Sequence, residues 1–394
     1  MKTVYAGNCE KTDRSDCSIA LTLKESGGIQ ISLNSKVAVL YGALIRQSCE
    51  SVLTFFGIDH AELQIDDSGA ADYVITARLE ACIKQLKKTD RSRLPELLPQ
   101  NTAGTARDRL RRSRLYLPGN TPKLAINAGL HSGDGIILDL EDSVAPARKD
   151  EARILVRNTL RAVNFYGAER MVRINQGERG LMDLDAVVPQ HVNVILLPKC
   201  ESAEQVRVVD SHIQQLRKEH HIEHETWIMP IIESAVGVLR AFEIAGASPN
   251  VIALAVGLED YTADIGAPRT PGGTESFFAR SMIVNAAKAC GIQAIDSVFS
   301  DISDMEALRE NVLASKALGF DGMGCIHPRQ IRVIHEAFAP TAEELEKAQK
   351  IVEAFHMAEE KGLGVVAVGS KMIDPPVVKR ALRIVELAKN TAKV

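Results

Sequence analysis

The sequence lacks the features of a membrane, secreted or nucleic-acid-binding protein. Its unbroken apolar runs are short, as at residues 251–256, and far below the ~20 residues that a membrane span needs. It has no excess of positive charge, since 47 Lys and Arg face 51 Asp and Glu for a formal net charge of −4, so we expect no nucleic-acid partner. The chain turns polar after residues 1–7, before a secretory apolar core could form.

The cysteines also lack a pattern. There are seven, an odd number, and none forms a C-x-x-C pair. This usage is typical of reduced, packed thiols and predicts a cytoplasmic protein.

What is present is the composition of an ordinary globular protein, with 45% hydrophobic and 25% charged residues. At roughly 100–200 residues per domain, 394 residues predict two or three domains.

Residues 1–88 have the pattern of a small α+β domain. Apolar residues alternate at 17–23 and 29–33, and the Gly27-Gly28 turn between them predicts a hairpin. A third strand at 61–65 and two helical periodicities complete the unit. From about 84 to 112 the chain is dominated by Lys, Arg, Asp, Pro and Gly104 and is sparse in apolar residues, which predicts a linker at 89–110.

From 111 to 345, short apolar runs alternate with stretches long enough for a helix. The strand candidates are residues 114–118, 135–141, 171–175, 192–199, 227–233, 251–257, 292–298 and 319–328. Eight such units predict a (β/α)₈ TIM barrel. A doubly wound open sheet is the alternative, but no glycine fingerprint follows the first strand. Residues 346–394 fall outside the eight-fold count and predict a C-terminal helical and lid segment.

The C-terminal ends of barrel strands carry the active site, because the loops converge there. The polar residues at these ends are Asp139, Glu141, Arg173, Lys199, Glu233, Glu259, Asp260, Asp296 and His327. Several carboxylates without a Cys/His cluster favour a hard cation with oxygen ligands, and Mg²⁺ fits best.

Three other kinds of chemistry compete with a metal site. Lys199 has the position of a Schiff-base lysine, although a charged strand end or a partner for a carboxylate is favoured. His220, His221 and His224 have metal-like spacing but lie in a polar run typical of a solvated helix end. No G-x-S-x-G elbow is present, which argues against a serine hydrolase.

An ordered set of motifs then points to a known family. It consists of RSRLYLPGN at 112–120, LDLEDSV at 138–144, VRIN at 172–175, LPK at 197–199, IES at 232–234 and GLEDY at 257–261. This set, spanning about 111 to 385, resembles the citrate lyase β subunit within the HpcH/HpaI aldolase and malyl-CoA lyase superfamily.

The N-terminal unit resembles the citrate lyase γ subunit, an acyl carrier protein. The matching segments are Ala6-Gly7, RSDCSI at 14–19, DDSGAAD at 66–72 and ARLEA at 77–81. The resemblance implies a phosphoribosyl-dephospho-CoA arm on Ser15. The stretch between Gly7 and Ser15 is longer than the family's loop, so Ser18 and Thr12 are the alternatives.

A γ–β fusion implies a lyase that cleaves a citryl thioester on its own carrier into oxaloacetate and an acetyl thioester. Transferring roles by motif, Glu233 and Asp260 bind Mg²⁺ and Arg173 clamps a substrate carboxylate. The resemblance also implies that Asp139, Glu141 and Pro198 belong to the substrate-binding residues.

The resemblance also implies partners. Asp374, in the tail motif KMID, acts as acid or base in a neighbouring subunit's site, so a homotrimer is expected. A separate α subunit supplies the acyltransferase. The alternatives are a sister lyase for citramalyl or malyl thioesters, and a carrier or scaffold whose barrel has lost catalysis.

Overall fold

The structure is a computed structural model that describes residues 2–8, 14–359, 366–368 and 371–391 of the chain. An α+β domain is followed by a closed barrel and a helical C-terminal segment. No helix in these ranges is both long and apolar enough to cross a membrane.

The first domain is a four-stranded sheet covered by two helices. Its elements are β1 Thr3–Gly7, β2 Cys17–Leu23, β3 Ile29–Ser35, α1 Ala38–Phe55, β4 Ala61–Asp67 and α2 Asp72–Leu86. Strand β1, which was not predicted, pairs antiparallel with β2. Its buried Val4 and Ala6 alternate with exposed neighbours, a signal too short to stand out in the sequence.

The predicted hairpin is wrong. The sheet order is β1-β2-β4-β3, and β4 pairs antiparallel with β2 and parallel with β3. Gly27 and Gly28 do make a turn, with φ of 102° and 72°. The turn leaves a gap one strand wide, which β4 fills. Alternation reports which face of a strand is buried, but not which strand lies beside it.

The connection after α2 is bound to the barrel. The Asn101 side chain is buried and donates to the Val163 carbonyl at 2.8 Å. Trp227 Nε1 donates to the Thr105 carbonyl at 2.8 Å. Its composition predicted a linker, but its hydrogen bonds make it a packed segment.

The predicted (β/α)₈ barrel is confirmed. Its strands are β5 Ser113–Pro118, β6 Gly135–Asp139, β7 Glu169–Arg173, β8 Val194–Leu197, β9 Trp227–Ile232, β10 Ala253–Val256, β11 Gln293–Asp296 and β12 Gly322–Cys325. All neighbours are parallel, and β12 pairs with β5 to close the ring. Each predicted strand overlaps an observed one.

Helices surround this ring. They are α3 Pro122–Ala125, α4 Lys149–Ala162, α5 Gly177–Val187, α6 Ala203–Glu219, α7 Ala235–Leu239, α8 Ala241–Ala245, α9 Leu258–Asp264, α10 Phe277–Ala289, α11 Met305–Leu318 and α12 Pro328–Phe338. Strand alternation divides the core in two. On β5, Leu115 and Leu117 pack in the main apolar core, whereas Tyr116 packs with the residues that fill the bore.

The C-terminal segment consists of α13 Ala342–Glu359, β13 Val366–Val368, β14 Lys371–Ile373 and α14 Pro375–Thr391. The two helices pack together through Ala348, Ile351, Val378 and Ala381. Asp374 is exposed, and its carboxylate accepts a hydrogen bond from the Val377 amide at 3.2 Å. In this chain Asp374 therefore caps α14.

The α+β domain rests on the barrel through α2 and α4. Both carboxylate oxygens of Glu80 accept hydrogen bonds of 2.8 Å from Arg157. Asn158 donates to the Tyr73 carbonyl at 3.1 Å. Glu80, Arg157 and Asn158 are all buried, so polar groups on both sides are removed from water only because the other domain supplies their partners.

Candidate active site

A cavity of about 1060 Å³ opens where the barrel strands end. Its lining includes most of the predicted strand-end residues, namely Asp139, Arg173, Glu233, Glu259, Asp260, Asp296 and His327. Asp142, Tyr116 and Arg114, which the sequence did not single out, also line it.

Arg173 lies in a cluster of carboxylates. Its Nε and Nη2 donate to the two Asp139 oxygens at 2.7 and 2.8 Å, and its Nη1 lies 3.0 Å from Glu141 Oε2. Burial opposes charge on both Asp139 and Arg173, but their mutual hydrogen bonds outweigh it. They lower the pKa of Asp139 and raise the pKa of Arg173. We expected Arg173 to bind a substrate carboxylate through two parallel hydrogen bonds. In this structure Asp139 accepts two such hydrogen bonds from Arg173.

Lys199 is surrounded by carboxylates. Its Nζ lies 2.9 Å from Glu141, 3.2 Å from Asp142 and 3.7 Å from Asp260. Burial lowers the pKa of Lys199, but its contacts with these carboxylates raise the pKa overall. A Schiff-base lysine must be a neutral amine to attack a carbonyl. The geometry favours Lys199 as a charged partner of carboxylates.

Glu233, directly after β9, is a buried carboxyl group with no ion pair among the described residues. It is 5% exposed, and its Oε2 has no hydrogen-bond partner among the described residues. Burial, followed by the charge of Asp260, raises the pKa of Glu233 to about 8. Gly257 makes room for it, because a Cβ there would lie 2.7 Å from Glu233 Oε1. A buried, orphaned carboxylate facing a second carboxylate is a donor pair suited to a divalent cation.

Glu259 and Asp260 differ in the residues that they contact. They lie in the first turn of α9, and not on a strand end as predicted. Glu259 forms an ion pair with Arg269, and its side chain is 61% exposed. Asp260 turns to Lys199 and raises the pKa of Glu233. The geometry therefore favours Asp260 over Glu259 as the second oxygen donor, in agreement with the sequence-based choice.

Other predicted residues lie elsewhere. Pro198 is buried and is absent from the described lining of the cavity, as is Asp374. Asp296 lines the cavity, but Arg280 and Ser315 engage its carboxylate.

The histidine run does not form a metal site. His224 bonds to His191 at 3.1 Å. Among the described residues, no group of three or more His, Cys, Asp or Glu has an arrangement that could hold a metal ion. The Glu233 and Asp260 pair would need further oxygens from water or substrate, as is usual for Mg²⁺.

The predicted attachment serine lies at the end of the loop between β1 and β2. Ser15 is half-buried with φ of 56°, a left-handed conformation that non-glycine residues seldom adopt, and its amide donates to the Ser68 carbonyl at 3.1 Å. Ser18 lies within β2, between strand partners on both sides. Thr12 falls outside the described residues.

Arg78 on α2 ties this loop to the barrel mouth. It is fully buried, and its Nε and Nη2 donate to Asp16 at 3.1 and 2.9 Å. Its Nη1 pairs with Glu151 of α4, and Nη2 also donates to the Asn120 carbonyl at 2.8 Å. Asn120 follows β5 in the loop that continues into the cavity-lining Lys123. Ser15, next to Asp16, is thereby held on the side of the barrel where the cavity opens.

The sequence did not predict this contact. Arg78 belongs to the carrier-like ARLEA segment, but nothing in a single sequence tells a buried interdomain arginine from a solvated one. The structure shows that α2 is buried on all sides from Tyr73 to Ile83, which places Arg78 between the two domains.

Comparisons with known proteins agree with the two-part fold. The family model described as HpcH/HpaI aldolase/citrate lyase matches residues 112–328, and the model described as malonate decarboxylase delta subunit matches residues 1–86. The citrate lyase subunit beta of Leuconostoc mesenteroides is 41% identical over 284 residues, covering 71% of this chain and 94% of that protein.

Two further relatives widen the range of chemistry. The mitochondrial citramalyl-CoA lyase of Mus musculus is 34% identical over 290 residues, covering 71% of this chain and 86% of that protein. The CitE protein of Mycobacterium tuberculosis, solved with magnesium, acetoacetate and coenzyme A, superposes with a TM-score of 0.59 at 32% identity. That match covers 72% of this chain and all of the other.

The barrel region of this chain thus matches proteins named as lyases along most of their length. This chain adds a carrier-like domain that is joined to the barrel by buried ion pairs. The chain belongs to the HpcH/HpaI aldolase/citrate lyase family.

Proposed function

We propose that this protein is a carbon–carbon lyase that cleaves a citryl thioester carried on its own N-terminal domain into oxaloacetate and an acetyl thioester. The observation that carries the proposal is the docking of the carrier-like domain. Arg78 joins the Ser15 loop to the loop after β5, on the side where the cavity opens. A thioester arm on Ser15 would therefore start beside the cavity of the same chain.

Ser15 is the proposed attachment residue for phosphoribosyl-dephospho-CoA. Ser15 precedes β2 and lies outside the strand ladder, whereas the backbone of Ser18 is paired with β1 and β4. A fixed domain with a long flexible arm needs no domain movement to deliver the acyl group.

Glu233 and Asp260 are the proposed ligands of Mg²⁺. The orphaned Oε2 and the raised pKa of Glu233 fit a group that is stabilised once a cation replaces its proton. When bound there, the cation would lower the pKa of the substrate hydroxyl and favour the charge of the developing keto acid.

The chain's own residues would orient the substrate and handle its charge. The reaction breaks the bond between the hydroxyl-bearing carbon and the methylene next to the thioester. The hydroxyl loses its proton to a base, and the electron pair of the broken bond forms the thioester enolate, which then takes a proton from an acid. Asp139 fixes Arg173 by two hydrogen bonds, and a substrate carboxylate would share the Nη1 side of the guanidinium with Glu141, which lies 3.0 Å from it. Lys199 and Glu141 form an ion pair of 2.9 Å beside Arg173.

Asp374 is proposed as the acid or base, supplied by a neighbouring subunit of a homotrimer. Its exposed position outside the cavity of its own chain agrees with a role in trans. A separate α subunit is proposed to load the carrier. The trans role predicts that mixing inactive Asp374→Asn and Asp260→Asn proteins restores partial activity after subunit exchange.

Product identification tests the reaction. The full chain with Mg²⁺ should convert citryl-CoA into oxaloacetate and acetyl-CoA, detected by mass spectrometry. Protein from the native host should carry a CoA-like mass on the Ser15 peptide, and Ser15→Ala should lose it while keeping activity on the free thioester. Release of free citrate, or faster conversion of citramalyl-CoA into pyruvate, would contradict the proposal.

A further inference from the structure

Arg114 is a cation buried inside the barrel. It lies on β5 and is 1% exposed, and its Nη1 donates to Met229 Sδ at 2.8 Å. Met229 belongs to β9, which is four strands from β5 in either direction around the ring. The side chain therefore crosses the bore to the opposite wall, to the strand that ends at Glu233.

Arg114 has no carboxylate partner in the part of the chain that the structure describes. The thioether is its one hydrogen-bond acceptor there, and its Nε has none. Other buried arginines are paired differently, since Arg78 meets Asp16, Arg111 meets Glu169 and Arg157 meets Glu80. A guanidinium removed from water with a sulfur as its partner is costly to the fold.

The space around Arg114 opens toward the active-site cavity. Arg114 lines that cavity together with Ile231 and Gly324. Its neighbours in register on the two adjacent strands are Gly135 and Gly324, and the space beside them is filled by apolar or aromatic side chains, Met171 at Gly135 and Tyr116 at Gly324. An unpaired cation at the floor of a cavity is a site for an anion.

We propose that Arg114 binds the terminal carboxylate of the keto-acid half of the substrate, and so selects a tricarboxylate-derived thioester. The proposal rests on the lyase function above. Citryl and citramalyl thioesters share the hydroxyl, the adjacent carboxylate and the thioester arm, and differ in one substituent, CH₂COO⁻ against CH₃. That additional carboxylate needs a cation of its own.

Two other cations of the site, Arg173 and Lys199, already have carboxylate partners within the chain. Two sides of Arg173 are engaged by Asp139 and Glu141, and Lys199 is engaged by Glu141 and Asp142. Planar guanidinium donors suit a carboxylate better than an ammonium does. Apolar side chains fill much of the bore around Arg114. The attraction between the guanidinium and a bound carboxylate would therefore be stronger there than in water.

Oxaloacetate and pyruvate form a matched pair of ligands for the test, because they differ by this carboxylate alone. Calorimetric titration of the full chain with Mg²⁺ present should give tighter binding of oxaloacetate. In Arg114→Met the affinity for oxaloacetate should fall roughly 10- to 100-fold, while the affinity for pyruvate stays within about threefold. Arg114→Lys should recover part of the loss. The exposed Arg332→Met on α12 is the control and should change neither affinity.

Thermal unfolding separates binding from a structural role. The Arg114→Met variant places an apolar side chain next to Met171 and Met229 and removes the unpaired charge. Without ligand, this variant should therefore melt at the same temperature as the unmodified protein or at a higher one. Equal loss of affinity for both keto acids, or no loss for either, would overturn the role of Arg114. Failure of the unmodified protein to bind either keto acid would instead overturn the lyase function.

Discussion

Two clusters of buried charge in this molecule have opposite character. At the domain interface, Glu80 and Arg157 satisfy each other through two hydrogen bonds of 2.8 Å. In the barrel, Glu233 has an orphaned oxygen and Arg114 has a thioether as its partner. The pKa values follow the same division. Burial would raise the pKa of Glu80, but Arg157 lowers it overall, whereas burial and Asp260 raise the pKa of Glu233.

The difference indicates what each cluster is for. Paired charges at the interface complete each other inside the chain and fix the carrier-like domain in place. Unpaired charges in the cavity are stabilised only by something from outside the chain, which is how ligand and metal sites differ from structural ion pairs.

The largest expected effect comes from replacing the unpaired carboxyl group of Glu233. Glu233→Gln should lower kcat/KM for the thioester by roughly 10²–10³-fold, because a catalytic cation supplies several kcal/mol of charge stabilisation. Glu259→Gln is the matched control, since Glu259 is paired with Arg269, and it should lose less than about tenfold. Equal losses in the two variants would remove the distinction between these carboxylates.

Breaking the buried ion pairs of Arg78 at the domain interface should lower the free energy of unfolding. Arg78→Met leaves the buried Asp16 without its cation and should cost about 3–5 kcal/mol of unfolding free energy in denaturant titrations. Lys24→Met removes a half-exposed pair with Glu62 in the same domain and should leave the unfolding free energy nearly unchanged. If both variants lose the same stability, the Arg78 network does not hold the domains together.

The smallest effect is expected from borohydride treatment, which tests whether Lys199 forms a Schiff base. Because Glu141, Asp142 and Asp260 keep its ammonium protonated, borohydride should trap no adduct between the enzyme and a keto acid. Mass spectrometry of the treated protein checks this. An adduct on Lys199 would replace the cation-based account with covalent catalysis.

The barrel could be predicted because its signals are local. Each strand is a short apolar run and each helix has its own period, so order along the chain alone determines the ring. The first sheet could not be predicted fully, because the insertion of β4 between β2 and β3 depends on pairing between distant segments.

The site was predicted in part for the same reason. Motifs identified Glu233, Asp260 and Arg173 by residue type and position. They did not reveal that Asp139 already engages Arg173, nor that Arg114 points into the bore without a partner. Which charges are paired is a property of the folded chain.

The most direct test is a titration of metal-free protein with Mg²⁺ in buffers of different ionisation enthalpy, which reports the protons released on binding. Since the pKa of Glu233 is raised to about 8, this carboxyl is mostly protonated at pH 7 and must lose its proton to bind a cation. The account predicts release of nearly one proton at pH 7, less at pH 9, and none in Glu233→Gln, which should also bind Mg²⁺ more weakly. Tight Mg²⁺ binding to Glu233→Gln, with the same proton release as in the unmodified protein, would contradict it.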